Sequence, residues 1–321
     1  MEKIILPENS LDILKDRKNL LAFSGGIDSS ALFYILIENG IDFDLATVNY
    51  GLRAESIDEI AYAKNLSNSY KKELFLLNSR ESSFSEKSGR DIRYNFFEKI
   101  ISKNRYQNLI TAHQLNDRLE WFFMQFGKGA GVVELLGFNE IENRENYKIV
   151  RPLLNLSKSE LEQYLIRNSR KYFIDSSNSS DIYSRNRVRK NYSDSFLNEF
   201  RSGVEKSFQY LQRDSRELIE EVEINKREKL YRFKRSNSRT DIFYIDKILK
   251  SEGYMLSSKQ RAEILEKREV VIAGEWAISI ADREVYIAPA IKITMDKKFK
   301  EICRKDRVPK LIRPYLFSIE V

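Results

Sequence analysis

The apolar positions of this 321-residue chain fall into short runs separated by longer amphipathic stretches. Asn19 to Phe23, Phe43 to Asn49, Glu73 to Asn78 and Asn108 to Ala112 are too brief for buried helices and predict strands. Between them, Ala31 to Ile37 lacks period-2 alternation and stops at Asn39-Gly40, Ser56-Ile57-Asp58-Glu59 opens a helix running to about Ser69, and Asp91 to Lys103 forms a third helix. An apolar stretch from Leu115 to Phe126 follows the fourth strand, and Ser157-Lys158-Ser159-Glu160 opens a boxed helix to about Asn168. Strands alternating with helices predict an α/β fold, a parallel doubly wound sheet with helices on both faces. Ligands of such sheets sit at the carboxyl ends of the strands.

The pattern changes after residue 200. A charged amphipathic helix is expected over Val204 to Ile224, then helices at Asp246 to Glu252 and Ser257 to Glu266. Strands are expected at Glu269 to Ala273, Trp276 to Ile280 and Glu284 to Ile287. The chain therefore divides into residues 1–200, a catalytic α/β domain, and residues 201–321, a helical linker with a smaller α+β domain.

Charge sharpens this division. Residues 1–200 hold 28 basic and 28 acidic side chains, whereas residues 201–321 hold 27 and 20, so the formal +7 lies wholly in the second part. Its cations cluster with rings, in Lys226 to Arg235 and in Lys297-Lys298-Phe299-Lys300 to Arg307. Such patches suit a nucleic-acid backbone with unpaired bases to stack; the plainer reading is a solvated surface. No apolar run approaches the roughly 18 residues of a membrane span, and the mixed-charge N-terminus is not a signal peptide. The single cysteine, Cys303, can form neither an internal disulfide nor a two-cysteine redox pair, which suggests the cytoplasm.

The first strand-to-helix turn reads Ser24-Gly25-Gly26-Ile27-Asp28-Ser29. Two glycines permit positive φ and close backbone approach, and a helix N-terminus offers amides and a positive dipole end, the means by which proteins hold phosphate. An ordinary turn capped by Asp28 or Ser29 is the competing reading. Lysine does not follow the glycines, the spacing is not GxGxxG, and no serine sits between glycines, which sets aside three better-known loops. At the end of the fourth strand stands His113, the only histidine, four residues before Asp117. Without His/Cys clusters zinc is not expected, and Mg2+ held by oxygen ligands and phosphates is, with Asp28 and Asp117 as its ligands. If the run around residue 185 is helical, Arg185 and Arg189 share a face that Arg187 does not.

The hexapeptide Ser24 to Ser29 resembles the SGGxDS loop of the ATP pyrophosphatases, which split ATP between its α and β phosphates. Further stretches resemble the tRNA(Ile)-lysidine synthetase family: Gly51-Leu52-Arg53 with Glu55-Ser56, Arg93-Tyr94, Thr111-Ala112-His113 with Asp117 and Glu120, Arg151-Pro152-Leu153-Leu154, and Asp175-x-Ser177-Asn178 followed by Tyr183-x-Arg185-Asn186-x-x-Arg189. The likeness covers about residues 18 to 190, with a weaker one in the lysine-rich helix and Arg307 to Pro314. It implies an adenine nucleotide α-hydrolase-like fold and a two-step reaction. ATP adenylates the carbonyl oxygen at carbon 2 of the wobble cytidine of isoleucine tRNA with a CAU anticodon, and the amine of free L-lysine then attacks that carbon and displaces AMP. By the same resemblance the loop residues Ser24, Gly25, Gly26, Ile27, Asp28 and Ser29 bind ATP, and Asp28, His113, Asp117 and Arg185 act in catalysis. Arg53, Arg93, Asn116, Asn186, Arg189, Arg307 and Arg313 would contact lysine or tRNA.

The family usually shows His-His-x-Asp-Asp-Gln where this chain has His113-Gln114-Leu115-Asn116-Asp117-Arg118, and a histidine where it has Tyr50. Thiolating relatives use two reactive cysteines and glutamine-dependent ones an amidotransferase domain, neither of which is present. A catalytically inactive tRNA-binding relative, or another adenylating tRNA-modifying enzyme of this fold, are the alternatives. Oligomeric state stays open between monomer and homodimer.

Overall fold

The computed structural model describes residues 3–51, 56–79, 86–174 and 184–320. Leu52, Arg53, Glu55, Asp175, Ser177, Asn178 and Tyr183, all noted above, lie outside the described residues. The elements run α1 (Glu8–Leu14), β1 (Asn19–Ala22), α2 (Ile27–Glu38), β2 (Asp44–Asn49), α3 (Ser56–Tyr70), β3 (Leu74–Asn78), α4 (Glu86–Asn104) and β4 (Asn108–Ile110). They continue with α5 (Leu115–Phe126), α6 (Val132–Leu136), β5 (Ile141–Asn143), β6 (Lys148–Val150), α7 (Lys158–Arg167), α8 (Ser184–Val188), a π-helical turn at Arg189–Ser193, and α9 (Asp194–Leu218).

Six strands form one sheet in the order β3-β2-β1-β4-β6-β5. The four strands expected from the sequence pair in parallel, in registers such as Leu21 with Leu45 and Ile110. The expected parallel doubly wound sheet carries one antiparallel strand at its edge. β6 joins β4 in parallel, but β5 returns antiparallel to it, so the sheet is mostly parallel. This short hairpin carries three residues per strand, too few for its pattern to stand out.

β1 lies at the point where strand order reverses, with β2 on one side and β4 on the other, and the crevice at such a point is where open sheets bind ligands. Each sheet face is covered by an apolar layer. α2, nearly all of it buried from Ile27 to Leu36, packs with α1, α3 and α7 on one face. Phe97, Ile100 and Ile101 of α4 cover Leu20, Leu109 and Ile149 on the other. A helix apolar all round belongs in the interior, which is why α2 shows no amphipathic stripe.

A third cluster joins Leu115 and Leu119 of α5 to Leu136 of α6 and to Leu197, Val204 and Phe208 of α9. The charged helix expected at Val204 to Ile224 begins at Asp194, ten residues earlier than its charge pattern suggested, and ends at Leu218, six residues earlier. It is kinked at Phe200 (φ −119°, ψ 22°). The third expected helix is likewise longer, α4 starting at Glu86, whereas α5 spans the expected Leu115 to Phe126 and α7 runs between the expected caps Ser157 and Asn168.

The chain divides into two compact units between Leu211 and Gln212. In the second, β7 (Ile224–Arg227), β8 (Leu230–Lys234), α10 (Ser238–Ser251), α11 (Ser258–Lys267), β9 (Glu269–Ile272), β10 (Trp276–Ile280), β11 (Glu284–Pro289), α12 (Lys297–Lys305) and α13 (Arg313–Glu320) form an α+β module. Its antiparallel sheet has the order β7-β8-β11-β10-β9. The basic run Lys226 to Arg235, which showed no strand to pattern reading, is the β7/β8 hairpin. Its alternate residues Tyr231 and Phe233 are buried while Arg232 and Lys234 stay exposed. No helix among the described residues is long and apolar enough to cross a membrane.

One backbone constraint inside the first unit is sharp. Gly137, which ends α6, has φ +64° and ψ −80°, and a Cβ built there would lie 2.3 Å from the Trp121 ring. Trp121 cannot yield freely, because its indole N–H donates to the Glu134 carbonyl at 2.7 Å. Gly137→Ala should therefore cost about 2–4 kcal/mol from the left-handed backbone and overpacking together, read as a lowered urea midpoint. An unchanged midpoint would show that α6 shifts without penalty.

Candidate active site

The corner after β1 is built by three serines and two glycines. Gly25 takes φ +80°, a conformation costing about 1–2 kcal/mol for an L-residue. Its carbonyl accepts from the Ser30 hydroxyl (3.1 Å) and the Phe173 amide (2.9 Å). Gly26 caps α2 with extended backbone, Ser29 Oγ donates to the Gly26 carbonyl (3.2 Å), and the Ser24 and Ser29 hydroxyls lie 3.1 Å apart. The turn is thus held by its own side chains and by the chain at Phe173. The first-turn amides of α2 have no intrahelical acceptor and open where the dipole is positive.

A cleft of about 470 Å³ opens over this corner. Ser24, Gly26, Ile27, Asp28 and Ser29 line it, while Gly25 shapes the turn from behind. Ala22, Ala46, Val48, Tyr94 and Phe97 give it apolar lining, and Arg90, Arg93, Lys158, Arg185 and Arg189 bring cations to it. An apolar slot beside convergent cations, over a helix N-terminus, suits a flat heterocycle joined to phosphates.

Asp28 stands on the first turn of α2, with one carboxylate oxygen, Oδ1, buried and without a hydrogen-bond partner. Burial, then the Asp117 and Glu120 carboxylates, push its pKa up to about 7 against the pull of Lys158 and Arg189. An orphaned carboxylate oxygen facing a second carboxylate fits a divalent cation. Mg2+ commonly takes only one or two protein carboxylates and completes its shell with phosphates and water. Among the described residues no three His, Cys, Asp or Glu side chains converge, which that mode does not require. Asp117 is already engaged: Oδ2 accepts from the Gln114 amide (3.0 Å), closing the cap of α5, and Oδ1 from Arg185 Nη2 (2.5 Å).

Arg185 and Arg189 form a cationic wall with α5. Arg185 Nε donates to Glu120 Oε2 (2.8 Å), and Arg189 reaches Glu120 Oε1 through Nε (2.5 Å) and Oε2 through Nη2 (3.1 Å). Glu120 is fully buried (0% exposed). Burial would lower the Arg189 pKa, but its bonds to Glu120 outweigh that and raise it. α8 and the π-turn place both arginines on one face, with Arg187 exposed on another, as helical spacing requires. Asn186 also lines the cleft.

His113 lines the cleft with its Nδ1 2.9 Å from the Thr111 hydroxyl and its ring 4.9 Å from Phe138. Burial, then Arg151, Arg185, Arg90 and Arg93, lower its pKa to about 3, so the imidazole is neutral at pH 7.

Three residues where the chain departs from the family pattern are braces. Asn116, expected at substrate, does not line the cleft. Its side chain donates to Asp194 (2.8 Å) and accepts the Lys158 amide (3.1 Å), tying α5 to α9 and to the start of α7. Arg118 is buried, stacked 4.2 Å over Phe208, with one donor on Asn155 at 3.1 Å. The Tyr50 hydroxyl donates to the Gly89 carbonyl (2.8 Å), anchoring α4 beside the arginines it presents. Arg307 and Arg313 belong to the second unit, where Arg307 is exposed and Arg313 Nε caps the Val308 carbonyl at 2.8 Å. Arg90 and Lys158 are site residues that sequence reading passed over. Arg90 sits one turn before Arg93, and Lys158 opens a helix recognised only for its capping box.

Comparison with known proteins agrees with this geometry. The PP-loop domain family matches residues 3–195. The chain is 40% identical to the tRNA(Ile)-lysidine synthase of Campylobacter jejuni strain RM1221 over 319 residues, 98% of this chain and 97% of that protein. It is 39% identical to the tRNA(Ile)-lysidine synthase of Helicobacter pylori strain 26695, over 96% of this chain and 92% of that protein. The chain belongs to the tRNA(Ile)-lysidine synthase family. Among solved structures, the U34-tRNA thiolase NcsA of Methanococcus maripaludis aligns with TM-score 0.52 at 18% identity, covering 67% of this chain and 80% of that one, a likeness of fold. In this chain the Ser24 to Ser29 corner and the arginine wall stand beside Asn116 and Tyr50 as structural ties.

Asp28 takes a proton near pH 7 when folded but near 3.8 when unfolded. Between those values the folded state holds more protons, so stability falls as pH rises. Asp28→Asn removes that slope: without ligands, the parent should lose melting temperature relative to the variant from about pH 4 to about pH 7. Parallel melting curves would show that the carboxyl is not held in this way.

Proposed function

We propose that this protein is the ATP-dependent ligase that adenylates the wobble cytidine of isoleucine tRNA bearing a CAU anticodon and joins lysine to its carbon 2, releasing pyrophosphate and AMP. The observation that carries this reading is the corner Ser24 to Ser29, with Gly25 at positive φ just before a helix N-terminus, in one cleft with a buried carboxylate and several arginines. Family membership over nearly the whole chain supports it.

In this reading the triphosphate lies on the α2 amides and the adenine in the apolar slot of Ala22, Ala46, Val48, Tyr94 and Phe97. Asp28, with Asp117 beside it, would hold Mg2+, which supplies positive charge against the departing pyrophosphate. A cation there also favours the charged form of Asp28. Arg90, Arg93 and Lys158 add donors for phosphate oxygens, the arginines in the bidentate geometry that phosphate accepts. The oxygen on carbon 2 of cytidine attacks the α-phosphorus and pyrophosphate leaves. The amine of lysine then attacks carbon 2, and AMP leaves with the oxygen. His113, neutral at pH 7, serves as a hydrogen-bonding partner in this arrangement, since a group of pKa about 3 is a poor proton acceptor there. An enzyme acting on tRNA works in the cytoplasm, and the basic second unit supplies the remaining grip on the tRNA. A homodimer is compatible with this scheme.

Incubation with ATP, labelled lysine and the CAU transcript should transfer label to RNA. Binding without transfer would make the protein an inactive tRNA-binding relative. Asp28→Asn should lower AMP formation by about 10²-fold or more while leaving tRNA affinity intact, and normal AMP release would remove Asp28 from the site.

Neutralising Lys305, Arg307 and Lys310 should weaken tRNA binding and flatten its salt dependence by about 0.7–0.9 in log-log slope per phosphate contact removed. An unchanged slope would take this segment out of the backbone contacts.

A further inference from the structure

The two helical elements that form the arginine wall continue outward as a row of exposed rings. On α5, Asp117 and Glu120 are followed at three-residue steps by Phe123 and Phe126. Opposite them, Arg185 and Arg189 are followed by Tyr192, Phe196 and Phe200, the helical spacing that keeps one face. The rings touch in sequence: Tyr192 to Phe123 at 6.4 Å between centroids, Phe123 to Phe196 at 5.7 Å, and Phe196 to Phe200 at 5.0 Å. Yet Phe126, Tyr192, Phe196 and Phe200 remain 64%, 59%, 41% and 46% exposed.

Four large exposed side chains on one stripe is more than scattered surface apolarity, and each is an aromatic ring. Exposed Arg187 and Lys190 flank the row where it meets the cleft wall. From Arg189 to Phe200 the helical rise spans roughly 15 Å, the length of about four stacked nucleotides. Rings bordered by cations and leading away from a nucleotide cleft are the makings of a single-strand stacking platform.

We propose that this row receives the unpaired bases next to the target cytidine, so that the loop of the tRNA stacks along α5 and α9 while the cytidine enters the cleft. This rests on the function proposed above. The chemistry recognised is the π-face of successive bases, and sequence discrimination is left to other contacts. Continuity with the cleft wall and the flanking cations favour RNA over a second copy of the chain as the occupant.

The test uses the full chain and an unmodified CAU transcript of isoleucine tRNA. The parent is compared with Phe196→Ala/Phe200→Ala and with Phe196→Leu/Phe200→Leu. The alanine pair should weaken tRNA binding about 100-fold, about tenfold per stacking ring. The leucine pair should fail to restore it, because a branched aliphatic chain has no π-face. The salt slope should stay at the parent value, since no phosphate contact changes, and retained ATP affinity certifies the fold. Parent-like tRNA binding by the alanine pair, or restoration by the leucine pair, overturns the proposal. So does an alanine pair that binds tRNA normally but passes from dimer to monomer in sedimentation, which would make the row a self-association surface. Failure of the parent to bind this tRNA or transfer lysine would instead overturn the function on which the row depends. An active parent with unaffected variants removes the row alone.

Discussion

Glu120 has no access to solvent, and two guanidinium groups answer its charge. Removing one partner of a buried pair leaves an uncompensated charge that costs about 3–5 kcal/mol, so α5 must meet the segment carrying Arg185 and Arg189. That requirement sets the far wall of the cleft. It determines where Asp117 can point, which side of the π-turn faces inward, and where α9 departs. The aromatic contacts further along these elements are a consequence of the same docking, because residues at three- and four-residue steps follow their charged neighbours onto one face.

The cleft pairs some of its opposite charges, as Arg185 and Arg189 with Glu120, and leaves the Asp28 carboxyl oxygen Oδ1 without a partner. Lys158 and the arginines gather around a corner already positive from the helix terminus, and His113 is held neutral by its burial first and by Arg151, Arg185, Arg90 and Arg93 second. Asp28 lies on the other side of that balance, buried beside two carboxylates and left with an unpaired oxygen. A neutral imidazole and a carboxyl poised near neutrality, within one cavity, follow from burial in a divided field. Groups perturbed in this way mark functional sites more often than structural ones.

The departures from the family pattern acquire a physical meaning here. Asn116 uses donor and acceptor on two different helices, which a carboxylate with no donor of its own cannot do. Arg118 lies flat on Phe208 inside the protein, and Tyr50 holds the helix that presents Arg90 and Arg93. In the second unit the cations are carried on exposed alternate positions of a hairpin and on α12, whose Phe299 and Cys303 face inward. The formal excess of +7 is therefore surface charge on a packed module.

The amino-acid sequence alone determined the alternation of β1 to β4 with helices, because burial on both faces writes continuous apolar runs into each strand. It also determined the Ser24 to Ser29 corner, whose serine hydroxyls bond within six residues, while the tie from Phe173 to Gly25 is a tertiary one. The α7 cap was legible for the same local reason. Tertiary structure alone decided that β5 runs antiparallel, that Lys226 to Arg235 is a hairpin, and that α9 starts at Asp194. Each depends on partners distant in the chain and on segments too short or too charged to show a period. It alone also brought Arg185 and Arg189 onto a glutamate some 65 residues away and turned Asn116 from the cleft into a brace. Charge pairing and side-chain direction are settled by packing across elements, and a linear pattern carries no record of which distant group will share the same dry space.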